Sequence, residues 1–311
     1  MAILLVAAGL ATLVVGAELL VRGGAAVATR LGVPPMVIGL TVVSIGTSLP
    51  ELAIGIDAAL RDAGPLAVGN IAGTNIVNLL LILGLSAALV PLAVESRTIV
   101  FELPVVAAVS ILVVVLALDG RLSRADGTLL VVIAAVYTLA VVVLAVRDPA
   151  RPAAEPDASG GGLVRHLVVL VAGLGVVVLG ADWLVHGAVD LAASLGVSEV
   201  VIGLTVVAIG SSAPELVTTV VSTLRGNRDI AVGNLIGSSV YNLALILGVT
   251  SLVAPLEVTS DLIRVDLPLM AFVAVMLLPV LATGRRMSRA EGIAAVLAYV
   301  LYLGVVLAVR T

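Results

Sequence analysis

LGVPPMVIGLTVVSIGTSLPEL, residues 31–52, returns 164 positions later as LGVSEVVIGLTVVAIGSSAPEL, residues 195–216, identical at 16 of 22 places. Each copy lies in an apolar run and ends on a hexapeptide, GTSLPE at 46–51 and GSSAPE at 210–215, that carries a glycine, hydroxyls, a proline and a carboxylate. Even in a chain rich in Val and Leu, a match of this length is a duplication. The same shift lays Gly16 on Gly180, GNIAGTNIVN (69–78) on GNLIGSSVYN (233–242), Pro91 on Pro255 and Leu103-Pro104 on Leu267-Pro268. SRAD at 123 and SRAE at 288 match with one residue of slippage. The repeat therefore runs through nearly the whole chain.

Composition says where such a chain lives. Hydrophobic residues make up 61% and charged residues 12% of 311, with a mean hydropathy of +1.29, whereas a soluble domain is about 25% charged. Apolar stretches of spanning length recur from end to end, and helices satisfy their own backbone hydrogen bonds in lipid. The sequence thus predicts an all-α polytopic membrane protein in the lipid bilayer. Helices are expected near 2–22, 35–60, 66–90, 98–118 and 123–146, and again near 164–187, 198–224, 229–254, 261–282 and 288–309. That is ten transmembrane helices as two five-helix repeats, residues 1–146 and 164–311, joined by a polar linker, 147–163, that contains RDPARPAAEPDASGGG. The N-terminal run MAILLVAAGLATLVVGAELLV lacks a basic leader and has a counterpart at 165–185, so it reads as the first helix rather than a cleaved signal.

An odd number of spans per half turns the second half upside down, and the arginines test this. With loops assigned alternately, Arg22, Arg30, Arg97, Arg147, Arg151, Arg165, Arg225, Arg228, Arg285, Arg286 and Arg289 share one side, against Arg61, Arg121, Arg124, Arg264 and Arg310 on the other. The positive-inside rule makes the first side cytoplasmic and leaves both termini extracellular in a cell-membrane protein. The duplication then reads as two inverted repeats, a layout of secondary transporters whose site lies near the midplane between the repeats.

The hexapeptides supply the chemistry. Proline lacks a backbone donor and clashes with the preceding turn, so Pro50 and Pro214 should free carbonyls near 43–46 and 207–210. Thr47 and Ser48 stand four and three places before Glu51 on one helical face, as Ser211 and Ser212 do before Glu215. In the following helices Thr74 and Asn78, and Ser238 and Asn242, are four apart. Brought together, these groups form an all-oxygen cage without imidazole or thiolate, which suits a hard cation such as Ca2+ or Na+ and not Zn2+ or Cu+. An ionised carboxylate at the centre of a membrane helix costs about 2.5–3.5 kcal/mol on insertion scales. No Arg or His shares the buried stretches, so cation coordination explains the two acids better than a structural ion pair or permanent protonation. The glycines of GNIAG and GNLIG read as close helix contacts, with Asn70 and Asn234 as donors behind the cage.

The doubled GTSLPE and GSSAPE, each followed by GN-x-x-G-[ST]-x-x-x-N, resemble the α-repeats of the sodium/calcium exchanger family, and the resemblance covers the full chain. It implies Na+/Ca2+ antiport by alternating access, with the first and sixth helices moving across a core that holds the site. By motif, Glu51 and Glu215 would be the central ligands, joined by Thr47, Ser48, Thr74, Asn78, Ser211, Ser212, Ser238 and Asn242, with backbone carbonyls at Ser44 and Ala208 completing the Na+ sites. Asn at both 78 and 242 resembles the potassium-independent members. Na+ and Ca2+ would be transported substrates, and no cofactor is expected.

Other readings weigh less. A proton-coupled Ca2+ antiporter would use the same carboxylates if burial favoured their neutral form, but neither repeat has the GN-x-x-E pattern typical of that branch. An intramembrane serine hydrolase needs a base beside its serine, and His166 and His186 lie near the ends of one helix. A net charge of -4 without a basic patch argues against nucleic acid, and the loops are too short to bind an obligate protein partner. Absence of Cys excludes disulfides, thiolate metal sites and a cysteine nucleophile. Glu18 with Arg22, Asp57 with Arg61 and Asp182 with His186 are spaced for local pairs near helix ends. Glu102 and Asp266 are expected at the interface.

Overall fold

A computed structural model describes residues 1–147, 162–196 and 208–310. The chain is almost entirely helical: α1 (Ala2–Leu31), α2 (Pro35–Thr47), α3 (Leu49–Leu60), α4 (Gly64–Leu89), α5 (Thr98–Asp119), α6 (Arg124–Arg147), α7 (Leu163–Ser194), α8 (Ala208–Ser211), α9 (Ala213–Leu224), α10 (Arg228–Val253), α11 (Leu262–Ala282) and α12 (Arg289–Ala308). Among the described residues eight helices are long and apolar enough to cross a membrane, and α2 with α3, bent by 40° at Ser48, passes the same test as a pair. The first part of the span expected at 198–224 lies outside the described residues; α8 and α9 are its remainder.

The break falls where the proline dictates, two residues ahead of it. Pro50 occupies the second position of α3, where a missing N–H costs nothing, and Ser48 takes φ -86°, ψ 6° to start the new helix. Ser212 does the same before Pro214, with φ -84°, ψ 5°. Each hexapeptide thus forms a hinge whose acid, Glu51 or Glu215, stands in the first turn of the following helix.

Two helices outrun their sequence assignment. The first was expected to stop near residue 22 and the sixth to span 164–187, but α1 extends to Leu31 and α7 to Ser194. Segment 22–31 continues because Val27 and Ala28 stay buried, and it ends at Gly32, whose φ of 64° lets its N–H cap Ala28 and Thr29. The two long helices run antiparallel in contact along their length. Gly9, Gly16 and Gly23 of α1 abut Leu184, Val177 and Leu170 of α7, while Gly173, Gly180 and Gly187 abut Leu20, Leu13 and Val6 in return. A Cβ on Gly16 would lie 2.6 Å from the Val177 backbone nitrogen, so glycine there is what permits the approach.

Repeat-related positions share backbone irregularities. π-Helical turns cover Val77–Ile82 and Asn242–Ile246, and again Thr98–Glu102 and Leu262–Asp266. Four two-residue strands, β1 (Leu92–Ala93), β2 (Arg121–Leu122), β3 (Leu256–Glu257) and β4 (Arg286–Met287), pair across the halves as β1 with β4 and β2 with β3. Arg289 donates to the Leu89 carbonyl at the end of α4, and Arg124 to Leu252 and Val253 at the end of α10. Most buried apolar side chains form one cluster around α4, α5, α6, α10 and α11. A second, smaller one joins α1 and α7 to Ile38, Val43 and Ala213.

Two charged residues depart from expectation: Glu102 and Asp266 are buried rather than interfacial, each closing the π-turn that begins its helix, and Glu102 lies within 3.0 Å of Arg97. The local pairs Glu18–Arg22, Asp57–Arg61 and Asp182–His186 all form.

Candidate functional site

Two hinges and two helices converge in the interior. α3 brings Glu51, α9 brings Glu215, α4 brings Thr74 and Asn78, and α10 brings Asn234, Ser238 and Asn242; the side chains of all seven are buried. Ser48 at the first hinge donates to Glu215 Oε1 at 3.3 Å, so the hinge of one half touches the acid of the other. Thr47, Ser48 and Ser238 all face Glu215, and Ser211 faces Glu51, which also feels the like charge of Glu215.

The first hinge is held by α10. Ser44 donates to the carbonyls of Gly39 at 2.6 Å and Asn234 at 2.8 Å. Thr47 donates to Asn234 Oδ1 at 3.2 Å, and Asn234 Nδ2 donates to Thr219 at 3.1 Å. Asn234 is therefore a bracket between the first hinge and α9, close to the donor role read from its motif. The Ser44 carbonyl keeps its helical bond from Ser48 N–H at 3.1 Å and also receives Thr47 Oγ1 at 3.3 Å and Ser238 Oγ at 3.5 Å, so it is not freed by Pro50. Ala208 opens α8; its side chain lies outside the described set.

Much of this oxygen has no protein partner. Both carboxylate oxygens of Glu51, Oε2 of Glu215, Thr74 Oγ1, Ser212 Oγ and the side-chain amides of Asn78 and Asn242 are buried without a hydrogen bond. Among the described residues neither glutamate joins an ion pair, and no group of three His, Cys, Asp or Glu side chains gathers. Buried polar atoms are nearly always paired, and two buried acids without a cation repel each other. Two carboxylates, two amides and several hydroxyls are a donor set that could hold a hard cation, and one too poor in nitrogen and sulfur for a transition metal.

Sequence reading missed a face of α9. Thr218, Thr219 and Ser222, at three, four and seven places after Glu215, are fully buried, and Thr218 and Ser222 lack partners. Helical spacing from the acid was the available signal; the matching Ile54, Gly55 and Ala58 in the first half offer no hydroxyl, so the repeat comparison hid it.

Among the described residues a crevice of about 560 Å³ reaches the hinges. It is lined by Leu49, Pro50, Ala53 and Ile54 of α3, by Ala181, Asp182 and Val185 of α7, and by Ser211. The repeat-equivalent contact is closed: Ala213, Val217 and Val221 of α9 pack with the cluster that contains Leu13, Ala17 and Leu20 of α1.

A multi-pass helical protein with buried, unpartnered acidic oxygens inside has the make-up of a membrane carrier of cations. The sodium/calcium exchanger family model matches residues 1–143 and 165–308, and the chain belongs to that family, whose members are transporters, not enzymes. It is 38% identical over 276 residues to the inner membrane protein YrbG of Escherichia coli K12, covering 86% of this chain and 84% of that one. It is 31% identical to the sodium/calcium exchanger MaX1 of Methanosarcina acetivorans, with 95% of each covered. Its structure is similar to that of the sodium-calcium exchanger NCX_Mj soaked with 2.5 mM Na+ and 0.1 mM Ca2+, at a TM-score of 0.85 and 30% identity over 97% of both chains.

Proposed function

We propose that the chain exchanges Na+ for Ca2+ across the cell membrane by alternating access, with both ions competing for the cage between Glu51 and Glu215. The observation that carries this reading is the set of partnerless buried oxygens around two acids that no protein cation neutralises. Ligands are Glu51, Glu215, Asn78, Asn242, Thr74 and Ser238 with the hinge hydroxyls Thr47, Ser48, Ser211 and Ser212; the Ser44 and Ala208 carbonyls serve Na+. Only a loaded site, its charge compensated, closes and turns to the opposite side. One occupant therefore expels the other.

The two halves act as inverted five-helix repeats, residues 1–146 and 164–311, linked through 147–163 on the cytoplasmic side. The antiparallel run of α1 against its equivalent α7 supports inversion. The strand pairs support the alternating loops, since β1 with β4 and β2 with β3 each join loops assigned to one side. On that assignment Arg225 is cytoplasmic, Arg61 extracellular, both termini lie outside, and the crevice opens outward.

The test is radiolabelled Ca2+ uptake into vesicles under separately imposed Na+ and H+ gradients. An outward Na+ gradient drives uptake at uniform pH. Uptake driven only by H+ would replace this reading with proton-coupled antiport.

A further inference from the structure

Glu18 of α1 holds two arginines. Arg22, four residues on, pairs with one carboxylate oxygen, and Arg225 at the C-terminal end of α9 donates Nε to the other at 2.8 Å. The second pair joins different elements: it ties the long α1/α7 couple to the helix that carries Glu215. Glu18 is 19% exposed there and Arg225 57%, so the tie is half-buried. Ala213, Val217, Val221 and Arg225 stand at four-residue intervals along α9, and the first three pack on α1 as the fourth closes the row electrostatically.

The duplication supplies a second set. Under the shift of 164, Glu18 becomes Asp182, Arg22 becomes His186 and Arg225 becomes Arg61; the row on α9 becomes Leu49, Ala53, Asp57 and Arg61 on α3. Every charge needed for an equivalent tie is present, and the tie is open. Asp182 pairs with His186 of its own helix at 3.2 Å, Arg61 pairs with Asp57 of its own helix at 2.9 Å, and all four side chains are more than half exposed. Between them lies the crevice, lined by Leu49, Ala53 and Asp182. Ala213 is 3% exposed, its equivalent Leu49 45%. The same charge pattern is closed at one end of the molecule and parted at the other.

We infer that Glu18–Arg225 and Asp182–Arg61 are alternating ionic latches, positioning residues that set which face of the membrane the cage opens to. Closure of the crevice takes Arg61 from Asp57 to Asp182 and parts Glu18 from Arg225, because α1 and α7 move together and cannot satisfy both ends at once. The inference rests on alternating access. Asp57, which stands where α9 has Val221, competes for Arg61 while the crevice is open and makes the two latches unequal.

The chain has no cysteine, so paired cysteines report cleanly. In oriented membrane vesicles, Glu18→Cys with Arg225→Cys, and separately Arg61→Cys with Asp182→Cys, are treated with a short bifunctional thiol reagent while Na+ and Ca2+ are varied. Both pairs link, ion conditions that favour one disfavour the other, and each link stops Ca2+ flux until it is cleaved. Arg225→Ala weakens and Arg61→Ala strengthens half-saturation by Ca2+ from the crevice side, each by about two- to five-fold, the population change a partly exposed ion pair supports. The swap Glu18→Arg with Arg225→Glu restores the parent value. Failure of the 61/182 pair to link under any condition, or shifts of the same sign in the two alanine variants, overturns the latches. Absence of exchange in the parent chain strikes the transport reading instead; linking reads conformation without flux and still decides the latches.

Discussion

Glu51 and Glu215 oppose folding as much as they enable binding. Both are wholly buried, Glu51 feels the like charge of Glu215, and only neutral groups, hydroxyls and backbone N–H, face them. Replacing one with its uncharged isostere removes repulsion without opening a cavity. Glu51→Gln or Glu215→Gln is therefore expected to melt no lower than the parent in ion-free detergent, yet to lose Na+-driven Ca2+ uptake and the rise in melting temperature that Ca2+ gives a native binder, about 2.7 kcal/mol at a hundredfold excess over Kd. Retained uptake in both variants would remove the acids from the mechanism. Asn234 works differently, as a bracket that accepts from Thr47 and donates to Thr219. Asn234→Ala strands two buried hydroxyls at about 1–3 kcal/mol each, so the melting temperature falls and Ca2+ half-saturation rises together. A variant that loses stability with unchanged half-saturation would show that the bracket does not set the hinge.

α1 and α7 are built to stay together. Their glycines fall every seven residues and face the partner's backbone, so the couple is tight along its length. Gly180→Ala sets a Cβ about 2.6 Å from the Leu13 nitrogen and is expected to separate the helices, lowering both the melting temperature and the rate of exchange. Gly175→Ala on the same helix meets nothing within 4 Å and should be neutral or stabilising, by up to about 1 kcal/mol as mid-helix glycine gives way to alanine. Thermal melts of both variants, read beside flux, separate packing from helix propensity. At this scale the sequence was legible where covalent chemistry imposes a conformation. Pro50 and Pro214 announced the hinges, though the turn sits at Ser48 and Ser212 because a proline is accommodated inside the first turn it starts. The length of α1 was not legible, since Arg22 and two glycines imitate a helix end that buried Val27 overrides. Nor were the π-turns at 77–82 and 242–246, which follow from packing and leave no residue signature.

The duplication made a polytopic helical chain of one family readable from a single alignment, while the inversion of the halves and the cargo that the paired acids point to belong to the proposed function. Which end is open could not be read, because the two halves carry nearly the same words and differ in arrangement. The charge of the site extends the reading to selectivity. With Asn at 78 and 242, the cage holds two formal negative charges. One Ca2+ or two Na+ cancel them, a third Na+ leaves a surplus of one, and a further monovalent cation in company with Ca2+ has nothing to offset it. Leaving a charge uncompensated inside the membrane costs several kcal/mol, more than the hydroxyls alone can return. Na+-driven Ca2+ uptake is thus expected to run at the same rate in K+-free medium as with K+ on either side. Asn242→Asp adds a negative charge one helical turn beyond Ser238, which faces Glu215. In that variant uptake slows in K+-free medium and recovers when K+ is supplied. A strict K+ requirement in the parent would mean that another group supplies charge to the cage, and would return Glu51 and Glu215 to being two members of a larger acidic set.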